Sequence, residues 1–307
     1  MEKKSNKSIS VIDMQEFPNP KQYKKLREAC EELGCFRIVN HSIPSTLLAD
    51  MKMVVRSLLD LPSEIKKHNT HVIADRGYRG STPKLPFYES LGVYDMASSQ
   101  ALQTFYDQLD ATPHQREIIE KYSKAIHGLA IDLGKKMGES LGLTKIDHDV
   151  FEEWPIQYRF IKYSFTPETV GKIGAILHSD ADFLTILQDD DNVGGLEVLD
   201  ESSGAFLPVN PLAGTLLVNL GDIAKAWSNG RFCNMKHRVV CNEASTRVSI
   251  GTFLLGPNEG TIEAPQELVD SDQHPRLYIP FTYQDYFNNR LSKDLRNGEI
   301  LDMYCSH

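Results

Sequence analysis

Two periodicities divide the chain, and the change between them comes at Tyr158. Before it, apolar residues recur at helical spacing. Leu47, Leu48, Met51, Val54, Val55, Leu58 and Leu59 keep a 3.6-residue period, which predicts a helix capped by Ser45 and ended by Pro62. Ile118, Tyr122, Ile126, Leu129, Leu133, Met137 and Leu141 make a longer stripe, opened by Thr112-Pro113 and running through Gly142. A stripe of this kind is core packing, and His127 within it belongs at the interior or its edge. A first helix reads from Asn19 as cap and Pro20 in the first turn to Leu33, with Gly34 as its stop. Strands are expected at Ile9 to Asp13 and Cys35 to Asn40, and His41 reads as a turn or capping residue. Residues 69 to 112 show no regular pattern. Gly77, Gly80, Pro83 and Pro86 punctuate that stretch, and Tyr78, Phe87, Tyr88 and Tyr94 gather there, as aromatics do in loops that line ligand pockets.

From Tyr158 onward the pattern is short strands and turns: Tyr158 to Ser164, Gly174 to Ile176, Phe183 to Gln188, Leu196 to Leu199, Ala205 to Val209, Leu216 to Leu220, His237 to Val240 and Arg247 to Leu255. About eight strands with no intervening helix longer than a turn predict two sheets folded on each other, a jelly roll within an α+β chain. The acidic run Asp189-Asp190-Asp191, beside Asn192-Val193-Gly194-Gly195, reads as a solvated hairpin tip. Phe281 to Leu295 is expected to be a helix that covers the barrel, and the last ten residues to be loosely held. The division that follows is residues 1–110 as an N-terminal helical and mixed extension, 111–280 as the jelly-roll core with its long supporting helix, and 281–307 as a C-terminal helix and tail.

Composition narrows the class. At 307 residues and 41% hydrophobic, the chain can bury a large core, and no apolar run reaches the roughly 20 residues that cross a bilayer. The charged start, Met-Glu-Lys-Lys-Ser-Asn-Lys, has no apolar signal region, so a cytoplasmic location is expected. A net charge of −9 with scattered Lys and Arg argues against a nucleic-acid partner. Five cysteines at 30, 35, 233, 241 and 305 fit no zinc motif and read as reduced thiols.

The chemistry concentrates in Leu177-His178-Ser179-Asp180-Ala181-Asp182-Phe183. Side chains repeat every two residues along extended chain, so His178 and Asp180 point the same way. His237 follows 59 residues later, at the head of another strand. Two histidines and one carboxylate on one face of a metal, with other positions open, is the ligand set of non-haem Fe(II) oxygenases. Ten histidines and 42 acidic residues would give about 1.4 His-x-[Asp/Glu] triplets by chance, so the triplet alone decides little. The strand context and the later Arg247-Val248-Ser249 add to it. In a strand, Arg247 and Ser249 share a face and offer a guanidinium fork and a hydroxyl to a buried carboxylate. Phe253 shares that face by odd-number spacing.

The set His178-x-Asp180, His237 and Arg247-x-Ser249 resembles the plant 2-oxoglutarate/Fe(II)-dependent dioxygenase family. The likeness covers nearly the whole chain, through Leu217 to Asp222, Trp227 to Gly230 and His237 to Val239. Asn19 to Gln22 through Gly34 to Phe36, Pro86 to Gly92 and Phe253 to Pro257 look most like the dioxygenases for auxin oxidation. The resemblance implies Fe(II) on His178, Asp180 and His237, 2-oxoglutarate as co-substrate on Tyr163, Arg247 and Ser249, O₂, and ascorbate as a reductant. The family's Asn-Tyr-Tyr-Pro stands here as Ile161-Lys162-Tyr163-Ser164, so Ile161 holds the place of its asparagine. The likeness to the auxin-oxidising dioxygenases implies oxidation of indole-3-acetate at C2 of the indole ring. A flat aromatic acid wants an apolar slot and a polar anchor. Phe253, Tyr78, Phe87, Tyr88 and Phe160 are the candidates for the slot, and Arg79 or Lys84 for the anchor. The same chemistry on another specialised metabolite or hormone stays open, as does a non-catalytic binder of small acids, although the intact Asp180 speaks against the latter. A small-molecule substrate and a monomer or homodimer complete the expectation.

Overall fold

The computed structural model describes residues 7–73, 76–83, 85–143, 150–270 and 272–306. Strand β1 (Ser10–Asp13) lies parallel to β2 (Cys35–Val39), and helix α1 (Pro20–Glu32) joins them. The Asn19 side chain accepts from Lys21 N, and Pro20 holds the first turn of α1. Gly34 ends the helix at φ +63°, where a Cβ would come within 2.2 Å of the Cys233 carbonyl oxygen. Both the backbone angle and the close approach therefore require glycine. Helix α2 (Ser45–Leu59) buries the predicted stripe, although Pro44 takes the cap position and no side chain caps it. A single turn, α3 (Ser63–Lys66), follows.

The stretch 69 to 112, which shows no pattern in the sequence, contains β3 (Tyr88–Val93) and α4 (Ser99–Gln108). The long helix α5 (Pro113–Ser140) opens on a capping box between Thr112 and Gln115, which satisfies two of the helix's otherwise unpaired groups. The strands then run β4 (Ile156–Ser164), β5 (Ile173–His178), β6 (Leu184–Gln188), β7 (Leu196–Asp200), β8 (Ala205–Val209), β9 (Leu216–Leu220), β10 (His237–Val240) and β11 (Thr246–Leu254). A six-residue helix, α6 (Asp222–Trp227), interrupts them where only turns were expected. Helix α7 (Tyr283–Lys293) closes the fold.

Two sheets make a jelly roll. The larger has the order β1-β2-β9-β6-β11-β4-β3 and the smaller β5-β10-β7-β8. Strands from the first 110 residues thus occupy both edges of the large sheet. Its central strands β6 and β9 are buried along their whole length, because α5 and its neighbours cover one face and the small sheet the other. Along β4 the two faces separate cleanly. Tyr158 and Phe160 pack towards the helices, and the Tyr158 hydroxyl reaches Ser123 Oγ at 3.0 Å. Arg159, Ile161 and Tyr163 face the other way, into the roll.

Two tail-like expectations are corrected. Asp189 and Asp190 are buried, not a solvated tip: Asp189 pairs with Arg247, and Asp190 with Arg56 and three backbone N–H groups. Only Asp191 is exposed, and it meets Lys52 at 2.7 Å. The final residues are also held, since the turn Glu299–Tyr304 buries Ile300, Leu301 and Tyr304. All five cysteines are free. Among the described residues, no helix is long and apolar enough to cross a membrane.

Candidate active site

β5 ends and β10 begins at the same point, so antiparallel pairing sets His178 directly opposite His237, with ring centroids 4.1 Å apart. Asp180 follows in the loop to β6. Its Oδ1 lies 3.8 Å from His178 Nε2 and 4.0 Å from His237 Nε2, and one ligand atom from each residue falls within 4.8 Å of the others. The His178 Nδ1 is taken up by the Ile176 carbonyl at 2.8 Å, which turns Nε2 towards the cluster. Burial, and then the charge of His237, hold the His178 imidazole at a pKa of about 3, so it is neutral and fit to ligate. Burial raises the Asp180 carboxyl, but the two histidines and the Thr185 hydroxyl, 2.7 Å away, outweigh it and keep the group ionised. Two imidazoles and one carboxylate, converging and largely desolvated, fit a divalent first-row metal.

The loop that carries Asp180 is fixed from two sides. The first N–H groups of α6, which a helix leaves unpaired, are satisfied here: Asp222 N donates to Asp180 O and Ile223 N to Asp182 O, both at 3.0 Å. Gly221 lets this happen, because a Cβ there would meet Asp182 O at 2.2 Å. From the other side, Ser179 N donates to Arg296 O at 2.8 Å, and Arg290 of α7 donates to the Ser179 carbonyl. Arg290 is itself held by Asp222 at 2.9 Å. Asp182, buried beneath the loop, has its carboxyl pushed well up by burial and then by Asp180.

The cluster opens on a cavity of about 360 Å³ between the sheets. At one end Arg247, 2% exposed, faces it from β11, with Tyr163 opposite in register on β4. One edge of the guanidinium pairs with Asp189, Nη1 lies 3.5 Å from Ser249 Oγ, and Nε makes no hydrogen bond. A buried cation with an unused donor beside a hydroxyl fits the far carboxylate of a small diacid. Ile161, where the family pattern has asparagine, also lines the cavity.

Of the residues expected to form the substrate slot, Phe253 and Tyr88 line the cavity. Phe160 does not: it is fully buried on the helix side of β4, edge-on to Phe105. The two-residue period that turns Tyr163 inward necessarily turns Phe160 outward. Tyr78 lies across β3 from the cavity, with its hydroxyl 3.3 Å from Glu89 Oε2. Phe87 packs on Phe165 at 6.0 Å instead of entering the cavity. Arg79 lines the wall, and Lys84 lies outside the described residues. Sequence reading missed Gln157 and Arg159, which the same period rule applied to β4 would have found. It also missed Arg76, Tyr283, Phe287 and Arg290, for which no local pattern exists.

Comparison with known proteins agrees with this geometry. Residues 155–256 match the model of the 2OG-Fe(II) oxygenase superfamily, and residues 9–115 match that of the non-haem dioxygenase in morphine synthesis N-terminal region. The chain is 47% identical over 277 residues to the 2-oxoglutarate-dependent dioxygenase DAO of Oryza sativa, covering 90% of this chain and 91% of the relative. The crystal structure of the rice dioxygenase for auxin oxidation superposes with a TM-score of 0.90 at 44% identity, covering 97% of this chain and all of that one. The dioxygenase for auxin oxidation 1 of Arabidopsis thaliana, as its binary complex with 2-oxoglutarate, gives a TM-score of 0.84 at 54% identity over 88% of this chain and all of that one. With a jelly roll, a His-Asp-His cluster and relatives of this identity over most of its length, the chain belongs to the 2OG-Fe(II) oxygenase superfamily and is a 2-oxoglutarate-dependent dioxygenase.

Proposed function

We propose that this enzyme oxidises indole-3-acetate at C2 to 2-oxindole-3-acetate, consuming 2-oxoglutarate and O₂ and yielding succinate and CO₂. His178, Asp180 and His237 are assigned as the Fe(II) ligands. When bound, Fe(II) with 2-oxoglutarate would activate O₂, which is the oxidant, and that hard chemistry belongs to the cofactor. Arg247, Ser249 and Tyr163 bind and orient the far carboxylate of 2-oxoglutarate. Arg290 and the start of α6 hold the loop of Asp180, so that its carboxylate keeps one position through the cycle. Phe253, Leu255, Tyr283 and Phe287 exclude water and give a flat ring apolar surface to lie on.

The observation that carries the reading is that the ligand cluster opens on a cavity with Arg247 and Ser249 at one end and the aromatic side chains Phe253, Tyr283 and Phe287 at the other. Its relation to two proteins named for auxin oxidation supports the choice of indole acid. The test is aerobic turnover with Fe(II) and 2-oxoglutarate across a panel of aromatic and aliphatic acids. Succinate release should rise on adding indole-3-acetate, with a product one oxygen atom heavier. A rise with other acids and none with indole-3-acetate would remove auxin as the substrate and leave the chemistry standing.

A further inference from the structure

Six arginines face the cavity, and what each is paired with separates them. Arg247 pairs with Asp189, Arg290 with Asp222 and Arg296 with Asp294. Arg79 and Arg159 have further partners of their own. Arg76 is different. It is 5% exposed, yet its polar contacts are two neutral groups, the Gln157 side-chain oxygen and the Tyr283 hydroxyl at 3.3 Å. Its guanidinium carbon lies 4.3 Å from the Phe287 ring centroid and 5.0 Å from that of Tyr94, and Nε has no hydrogen-bond partner. Among the described residues no carboxylate touches it. A buried charge is costly unless an opposite charge joins it, and two ring faces and two neutral oxygens compensate only part of that cost.

Its place relative to the metal ligands follows from the sheet. Thr185 of β6, Phe253 of β11 and Gln157 of β4 are consecutive partners in one row across the large sheet. Directly opposed residues point to the same face, here into the cavity. Asp180 hangs on Thr185 at one end of the row and Arg76 on Gln157 at the other, two strand spacings or roughly 10 Å apart, with Phe253 between. Arg247 lies in a different direction, six residues along β11 from Phe253 and roughly 20 Å by strand rise.

We propose that Arg76, held flat by Phe287 and Tyr94 and steadied by Gln157 and Tyr283, is the anchor for the substrate's carboxylate. The substrate class is then a flat aromatic monocarboxylic acid, its acid group on Arg76 and its ring across Phe253 towards the metal ligands. This rests on the reading of the enzyme as an aromatic-acid oxidase, but not on the acid being indole-3-acetate.

The experiment uses the enzyme loaded with Fe(II) and 2-oxoglutarate without O₂, titrated with indole-3-acetate, phenylacetate and other aryl acids and with their primary amides. Binding is read from the visible absorption of the loaded site. The wild type should prefer acids to amides by about 100-fold, and Arg76→Gln should lose that preference while its affinity for 2-oxoglutarate stays unchanged. Gln157→Glu is the companion variant, because it keeps Arg76 and its ring neighbours and supplies an internal carboxylate in the ligand's stead. It should lose the acid preference too, even if Arg76→Gln fails to fold. An unchanged preference in either folded variant places the carboxylate elsewhere and overturns the proposal, as does a wild type that binds amides as well as acids. An enzyme whose acid preference depends on Arg76 but which oxidises no indole acid keeps the anchor and loses only auxin.

Discussion

The two ends of the cavity are built in opposite ways. The end we assign to the co-substrate stands on strands, with Arg247 and Ser249 two residues apart on β11 and Tyr163 opposite Arg247 on β4. Its cation is balanced within the protein by Asp189, itself carried on the loop that leaves β6 for the small sheet. The substrate end gathers Arg76 from a loop, Gln157 and Phe253 from strand ends, and Tyr283 and Phe287 from α7. No carboxylate of the described residues touches its cation. A co-substrate that is the same in every turnover can be met by a rigid site whose charge is already offset. Selection among acids is served better by a charge that only the correct ligand neutralises, set on elements whose sequence can change without disturbing the sheet.

The cluster His178, Asp180 and His237 opens on the same cavity as both ends, so the largest effect is expected there. Asp180→Ala should abolish turnover and remove the thermal stabilisation that Fe(II) gives the wild type. That stabilisation is about 2.7 kcal/mol at a metal concentration 100 times Kd. Chelation followed by re-addition of Fe(II) should restore wild-type activity but not that of the variant. An Asp180→Ala protein that still gains stability from Fe(II) would place the metal elsewhere.

Next in size is the co-substrate end. Arg247→Ala should weaken 2-oxoglutarate binding by about 2–5 kcal/mol. The same change strands Asp189, whose side chain is 7% exposed, and should cost about 3–5 kcal/mol of folding stability. Arg247→Ala with Asp189→Asn separates the two effects: stability should return in large part, and 2-oxoglutarate affinity should not. Recovery of both would mean that Arg247 is a structural partner of Asp189 and nothing more.

The difference between the ends also explains what could be read from the sequence. His178, Asp180, His237, Arg247 and Ser249 are spaced by strand geometry, and a two-residue period orients them without knowledge of the fold. The eight strands from β4 to β11 were legible for the same reason, each being a short apolar run between turn residues. β3 and α4 were not, because the loop ahead of them is broken by glycine and proline and α4 has only ten residues. Phe160 was misplaced by attention to residue type over period, since its neighbours Arg159 and Ile161 are the inward pair. The Asp189 to Asp191 run misled because charge predicts solvent only where no buried Arg or backbone N–H waits opposite. Arg76 and Phe287 are brought together by tertiary packing across 211 positions of numbering, and no window of sequence contains that contact.

A smaller effect tests why the co-substrate end is rigid. Asp190 accepts from Val248 N at 2.9 Å and from Asn192 N and Val193 N at 3.1 Å, and meets Arg56 at 2.9 Å. Burial raises its carboxyl, but these donors prevail and leave its pKa below the ordinary value. A depressed carboxyl stabilises the fold fully above the unfolded-state value and loses that contribution as pH falls through the folded-state one. Asp190→Asn should therefore cost about 2 kcal/mol at neutral pH, by turning an acceptor into a buried donor, and the gap from wild type should narrow below pH ~4. Urea titrations at several pH values measure this. A gap that stays constant into acid would mean that the ionised carboxylate contributes nothing beyond its shape.

The smallest effect isolates the substrate end. Gly251 lies on β11 opposite Arg159, and a Cβ there would come within 2.6 Å of the Phe253 ring. The obstacle is the far edge of a side chain, so Gly251→Ala should leave the sheet intact and push the ring towards the ligand. One methyl group in a fitted apolar pocket is worth about 1–3 kcal/mol, and part of that will be relieved by rotation of the ring. KM for the aromatic acid should rise about fivefold, with stability nearly unchanged and 2-oxoglutarate affinity the same as in wild type. The two ends share β11, and Gly251 lies between them, four residues from Arg247 and two from Phe253. If 2-oxoglutarate affinity fell along with that of the acid, the strand would be transmitting strain, and the division of the cavity into two independent sites would have to be given up.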